Sequence, residues 1–314
     1  MRIKKIIFAV FAIFLSVPSF CKTNIALVKG MSSVPYAFMF LEKSDGEPSY
    51  NFIRFSSVKD AALSLMEAKT DALILPVNVA ALLYDFLDGK ILCAAVTQNM
   101  DFYSVSSNSS LKNLSDLLGK KISVTKGGIG EGFISWVMEE SALSMENGGG
   151  VMKIQWEENE AFSAAKLLSG EVDNAFLSEP AVSNVLKRSG FYISADFQEE
   201  FSAIKGRNRH LPKNVLVVRR SFCTNEIESL ENLLASVKKS IESVNKNPSS
   251  AAFLCKKFDA VGEHSVLGKA IQRANFTFER AEDAKSGIYE VLELCNRVSH
   301  EKIAVPDGEF LLGY

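Results

Sequence analysis

The run KDAALSLMEAKTDALILP, residues 59–76, is answered later in the chain by AFSAAKLLSGEVDNAFLSEP, residues 161–180. In register, Ala62 stands against Ala164, Leu65 against Leu167, Met66 against Leu168, Asp71 against Asp173 and Leu75 against Leu177. Each copy reads as an amphipathic helix, a short polar turn, a buried strand and a sharp break into another helix. Two such units predict two similar lobes.

Outward from these copies the pattern is strand, helix, strand, helix, the signature of an α/β protein. Asn24 to Val28 reads as a first strand, Gly30 to Pro35 as a loop and Tyr36 to Leu41 as a helix. Ser56 and Ser57 can cap a helix with Val58, Ala62, Leu65 and Met66 on one face. Ala72 to Leu75 is a strand, followed by a helix over Asn78 to Leu87. Ile91 to Val96 and Phe102 to Ser106 are further strands, and the serine and asparagine density of 106–110 opens a new unit. There Lys121 to Thr125 predicts a strand, Lys126 to Gly130 a glycine loop, Phe133 to Ser141 a helix and Val151 to Trp156 another strand. After the second copy, Ala181 to Ser189 reads as a helix, Phe191 to Ser194 as a strand, Ser202 to Pro212 as a return crossing and Asn214 to Arg219 as one more strand. From Glu226 onward the periodicity is helical.

The 314 residues are 47% hydrophobic and 23% charged, with a net charge of −2, which suits about two globular domains and shows no basic footprint for nucleic acid. Residues 1–21 stand apart. Arg2, Lys4 and Lys5 precede the uncharged run Ile6 to Leu15, too short to span a bilayer and right for the apolar part of a secretory signal. Ser19 and Cys21 suit a cleavage site before Lys22, so the chain is expected to be exported. Cys21 also raises a lipid tether, against which stands the bulky Phe20. The other cysteines, Cys93, Cys223, Cys255 and Cys295, show no metal-binding spacing and read as buried small apolar residues, with one disulfide left open.

Four loops could carry chemistry. Gly127, Gly128, Ile129 and Gly130 lie between a strand and a helix, where free amides and a positive dipole end can meet an anion or a carbonyl; a plain tight turn is the alternative. No P-loop or dinucleotide fingerprint is completed there. Glu179 before Pro180 falls at the mouth of the strand Asn174 to Ser178, where parallel sheets bind ligands, unless it only caps a helix. Pro76 and Asn78 hold the matching place in the first unit, and Asn78 either caps its helix or reaches a ligand. Met31, Ser32 and Ser33 after the first strand form a third wall. The histidines, His210, His264 and His300, are far in sequence from these loops. No catalytic residue, metal site or cofactor is indicated.

The stretches Thr70 to Val79, Leu114 to Val124 (LSDLLGKKISV), the glycine loop and Leu167 to Val182 (LLSGEVDNAFLSEPAV) resemble the substrate-binding proteins of ABC importers of the nitrate, sulfonate, taurine and thiamine-precursor type, the NMT1/THI5-like superfamily. The likeness covers roughly residues 24–250. It implies a two-lobed type II periplasmic-binding fold with crossing hinge strands and a helical C-terminal segment. Lobe one would comprise 22–102 and 203–314, and lobe two 103–202, with crossings near 101–106 and 196–212. It further implies a monomer that binds a small polar solute between its lobes and serves a membrane permease and its ATPase subunits. A solute-sensing receptor or surface protein and an enzyme related to the pyrimidine-precursor synthases are the competing readings; the cysteine-rich motif of those synthases is absent. The first loop lacks a basic residue, and Lys29 and Lys126 are the cations nearest the expected cleft, so nothing in it demands an anion. Glu179 would favour a ligand offering N–H or cationic groups.

Overall fold

The computed structural model describes residues 22–44, 46–112, 114–144, 152–206, 210–262, 267–298, 303, 306 and 308–313. The expected export signal, His264 and His300 lie outside them.

The chain opens with β1 (Thr23–Val28), two 3₁₀ turns (Met31–Tyr36 and Met39–Leu41), a small hairpin of β2 (Lys43–Ser44) and β3 (Glu47–Pro48), and β4 (Tyr50–Phe55). It continues through α1 (Val58–Met66), β5 (Ala72–Pro76), α2 (Val77–Phe86) and β6 (Ile91–Asn99). The chain then leaves this sheet for β7 (Phe102–Ser106), β8 (Lys121–Thr125), α3 (Gly128–Ser144), β9 (Lys153–Glu157), α4 (Glu160–Ser169), β10 (Asn174–Ser178), α5 (Ala181–Val185), β11 (Tyr192–Asp196) and α6 (Phe197–Lys205). It returns as β12 (Pro212–Arg219), followed by α7 (Arg220–Asn225), α8 (Ile227–Lys246), α9 (Pro248–Lys257), α10 (Leu267–Arg273), β13 (Phe276–Arg280) and α11 (Lys285–Val298).

Two sheets result, ordered β13-β6-β12-β5-β1-β4 and β11-β7-β10-β8-β9. Each has a parallel trio, β4-β1-β5 and β9-β8-β10, beside an antiparallel strand that has crossed over, β12 or β7. The chain is therefore two α/β lobes with crossing strands, as the sequence copies imply.

The duplication reaches individual hydrogen bonds. Asp71 N donates to Asn24 O, and Asn24 N to Asp71 Oδ2 at 2.8 Å; Asp173 N donates to Lys121 O, and Lys121 N to Asp173 Oδ2, also at 2.8 Å. Each aspartate thus clamps its own strand to the first strand of its parallel trio. Helix starts match too: Ser57 accepts from Asp60 N ahead of α1, and Asn159 from Phe162 N ahead of α4. A side-chain acceptor at that position satisfies an amide that the helix itself cannot pair.

Several local expectations change. The helix expected over Tyr36 to Leu41 is two 3₁₀ turns, because Pro35 removes a donor and Ser33 Oγ turns back onto Val28 O. The return crossing over 202–212 begins as helix α6, capped by Asp196 Oδ1 accepting from Gln198 N and Glu199 N. The tail is not wholly helical, since β13 adds an antiparallel edge to β6. Cys93, Cys223, Cys255 and Cys295 are free and buried. Among the described residues no helix is long and apolar enough to cross a membrane.

The core is shared between the sheets. Leu75, Val96 and Val217 of the first sheet join one apolar cluster with the second, where Phe197 packs against Phe102, Phe133 and Phe176 at ring-centroid distances of 5.0, 4.9 and 4.6 Å, beside Trp136 and Phe201. Helix α11 packs on α3 so closely that a Cβ at Gly132 would lie 2.2 Å from Leu294 O. The helical tail therefore joins the lobes rather than only decorating the first.

Candidate functional site

A cavity of about 150 Å³ lies at the seam where the chain crosses between sheets. Met100, Asp101 and Phe102 enter it from the first crossing and Lys213 from the returning strand β12. The second lobe supplies Thr125 at the end of β8, Gly127, Ile129 and Gly130 around the start of α3, Glu160 at the start of α4 and Ser178 at the end of β10. All these β8, β10 and helix-start positions gather at the carboxyl ends of parallel strands, where side chains and free amides of several loops converge. Phe102 forms a tight wall over Gly130, where a Cβ would come within 2.7 Å of the ring. A larger groove of about 920 Å³ takes its walls from the first lobe alone, between the β2–β3 hairpin and α8.

Asp101 is fully buried; Oδ1 pairs with Lys213 Nζ, and Oδ2 accepts from Gln98 Nε2 at 3.1 Å and Glu179 N at 3.3 Å. Burial pushes its carboxyl up, and the ammonium of Lys213 partly offsets this. Glu160, partly buried, accepts through Oε1 from Ser178 N at 3.1 Å and Ser178 Oγ at 2.7 Å. Burial also raises the Glu160 carboxyl, against the pull of Lys213. Thr125 Oγ1 is buried without a hydrogen-bond partner.

The expected site residues separate in space. Gly127, Ile129 and Gly130 line the cavity and Gly128 begins α3 between them. Gly127 N already donates to Glu131 Oε2, so the first amide of the loop is engaged by its own helix. Met31 packs on the first-lobe core, Ser33 is buried in its turn, and Ser32, Pro76 and Asn78 are partly buried outside the cavity walls.

Glu179 is committed elsewhere. Its side chain is fully buried, accepting from Arg273 Nε at 2.7 Å and from Ser183 N at 3.1 Å, while Arg273 Nη2 donates to Ser183 Oγ. Arg273 ends α10, and Tyr103 Oη of the second sheet donates to its carbonyl at 2.7 Å. Glu179 thus stands in an ion pair between α10 and the second lobe, not on the cavity wall.

Asp101, Lys213, Glu160 and Arg273 were not singled out by the sequence, and Thr125 only as the end of the strand that leads into the glycine loop. Asp101 and Lys213 sit at the two crossings, the places that lie near both halves of a two-lobed chain. Thr125 and Glu160 are marked by the duplication itself. By the strand registers Thr125 corresponds to Val28, and by the matched helix caps Glu160 corresponds to Val58, so polar groups stand in one copy where the other has valines.

Comparison with known proteins agrees with this architecture. No curated protein matches the chain in a sequence search. Among solved structures, an ABC transporter protein from Parabacteroides distasonis is 17% identical with a TM-score of 0.74, the alignment covering 93% of this chain and 98% of that one. The periplasmic aliphatic sulphonate binding protein SsuA from Escherichia coli is 16% identical at a TM-score of 0.66, covering 93% and 92%. A mutant of DszB in complex with biphenyl-2-sulfinic acid is 13% identical at 0.55, covering 91% and 95%. At these identities the likeness is one of fold, the two-lobed fold of periplasmic binding proteins. The NMT1/THI5-like family model matches residues 90–251, more than half of the 314-residue chain and the part that holds both crossings, the glycine loop and the second sequence copy. The chain belongs to the NMT1/THI5-like family.

Proposed function

We propose that this chain is the extracytoplasmic solute-binding component of an ABC importer, without catalysis or a cofactor of its own. It would hold a small polar organic solute between the lobes 22–102 with 203–314 and 103–202, and deliver it to a membrane permease and its ATPase subunits. The observation that carries this reading is the seam cavity, with walls from both crossings and from the loops of the second sheet. A solute that touches both lobes binds the closed arrangement better and so favours closure. The binding-protein fold of the structural neighbours and the family membership support the same reading. Residues 1–21 would serve as the export signal, with Cys21 at its end as the point of any lipid tether.

We place the solute against Gly127, Ile129 and Gly130, with Asp101, Phe102, Thr125, Glu160, Ser178 and Lys213 completing the site. At about 150 Å³ the cavity suits a solute near the size of a single six-membered ring. Ile129→Trp tests the placement. The indole would fill the cavity, so the variant should stay folded by circular dichroism yet lose the small molecules that mass spectrometry detects on the purified parent. A parent that carries no small molecule and shows no thermal shift with any of a broad solute library would overturn the reading.

A further inference from the structure

On the solute-binding reading just given, we propose that the seam cavity selects a small, flat organic cation, an ammonium or amidinium, with its charged end on Glu160 and Thr125, and discriminates against anions.

Three observations lead there. First, the one cationic side chain among the described residues lining the cavity is engaged, since Lys213 Nζ pairs with the fully buried Asp101, and the first amide of the glycine loop, Gly127 N, donates to Glu131. Second, the charge left over is negative. Ser178 occupies Glu160 Oε1, whereas Oε2 has no partner among the described residues, and Thr125 Oγ1 nearby is buried and unpaired. A buried hydroxyl without a partner is costly, and a ligand N–H facing Thr125 and Glu160 would satisfy both acceptors together. Third, this polarity is not required by the fold. The equivalent positions in the first lobe are Val28 and Val58, and Val28 packs with Phe55 against the core there. Phe102 and Ile129 provide apolar walls for the flat body of such a ligand.

Two substitutions separate binding from stability. Glu160→Gln keeps an acceptor for Ser178 and removes the charge. Thr125→Val keeps the shape and removes the unpaired hydroxyl, so it should leave the melting temperature unchanged or raised.

The test is calorimetry on the full mature chain with three probes. They are 4-aminopyridine, a flat cation at neutral pH, aniline as its neutral counterpart, and methanesulfonate as the anion. The expected order is 4-aminopyridine tighter than aniline by about ten- to a hundredfold, with no heat from methanesulfonate. Glu160→Gln should abolish the preference of cation over aniline, and Thr125→Val should weaken 4-aminopyridine while melting no lower than the parent. Methanesulfonate binding above 4-aminopyridine, or an unchanged preference in Glu160→Gln, overturns the cation inference and leaves solute binding intact. Silence toward all three probes, in a chain that also carries no co-purified solute, overturns both.

Discussion

Two carboxylates, one fully and one partly buried, show how residue context decides stability. Glu179 has its full charge enclosed and leans on Arg273, whose guanidinium also fixes Ser183. Arg273→Ala would strand that charge, so it should cost on the order of 3 kcal/mol in urea unfolding. Arg280→Ala, which breaks a half-exposed pair with Glu231, should cost no more than about 1 kcal/mol. Glu160 behaves in the opposite sense. Its carboxyl is raised above the usual 4.5 because burial outweighs the attraction of Lys213, with Asp101 adding to the rise and Ser178 opposing it. A carboxyl with a raised folded-state pKa lowers stability once the pH passes above its unfolded value. Glu160→Gln is therefore expected to be more stable than the parent at pH 7. That advantage should shrink as pH falls through the raised pKa and vanish below the ordinary carboxylate range, as thermal melts across pH would show.

At the scale of elements, the contact of α3 with α11 is the most exacting. Gly132 allows the helices to approach until only the Leu294 carbonyl lies where a Cβ would be. Gly132→Ala must push α11 outward, and the lost packing should lower stability by about 1–3 kcal/mol in denaturant. Gly268→Ala in α10 meets nothing nearer than 3.8 Å and should be neutral or mildly stabilising, which makes it the matched control. Among the elements, those with a strong local signal were legible: α1, α4, β5 and β10 follow from apolar spacing and their caps. Strands β4 and β13 were not, nor was helix α6. β4 has only Tyr50 buried, and β13 only Phe276; each exists because β1 or β6 offers an unpaired edge.

For the whole molecule, the two sheets are held together by the α10 ion pair, the α3–α11 packing and a hydrophobic core to which both contribute. Solute exchange through the seam would require part of this interface to open. Glu139 and Arg297, paired on the outer rim of α3 and α11, report on it. Cysteines placed at both positions and joined by a short bis-maleimide should slow both uptake and release of solute in stopped-flow fluorescence, and the linkage should leave the fold intact. Unchanged exchange rates would show that the lobes admit solute without parting α3 from α11. Background labelling at Cys93, Cys223, Cys255 and Cys295 should be small, since burial drives these thiols upward, Cys223 to about 11 and Cys255 and Cys295 to about 12.

The sequence by itself determined that this protein is a duplicated α/β unit. Helix periodicity, capping residues and the Asp71 and Asp173 positions are local properties, and they repeat in register. It also marked the glycine loop, because a strand–glycine–helix junction is readable within one short stretch. Only the tertiary structure decided which charged groups meet. Glu179 and Arg273 are 94 residues apart, and Asp101 and Lys213 are 112 apart, so their pairing depends on how distant segments pack. A carboxylate looks the same in sequence whether an arginine neutralises it or leaves it open to a cavity. Burial and partner geometry alone distinguish Glu179, closed in an ion pair, from Glu160, open at the seam.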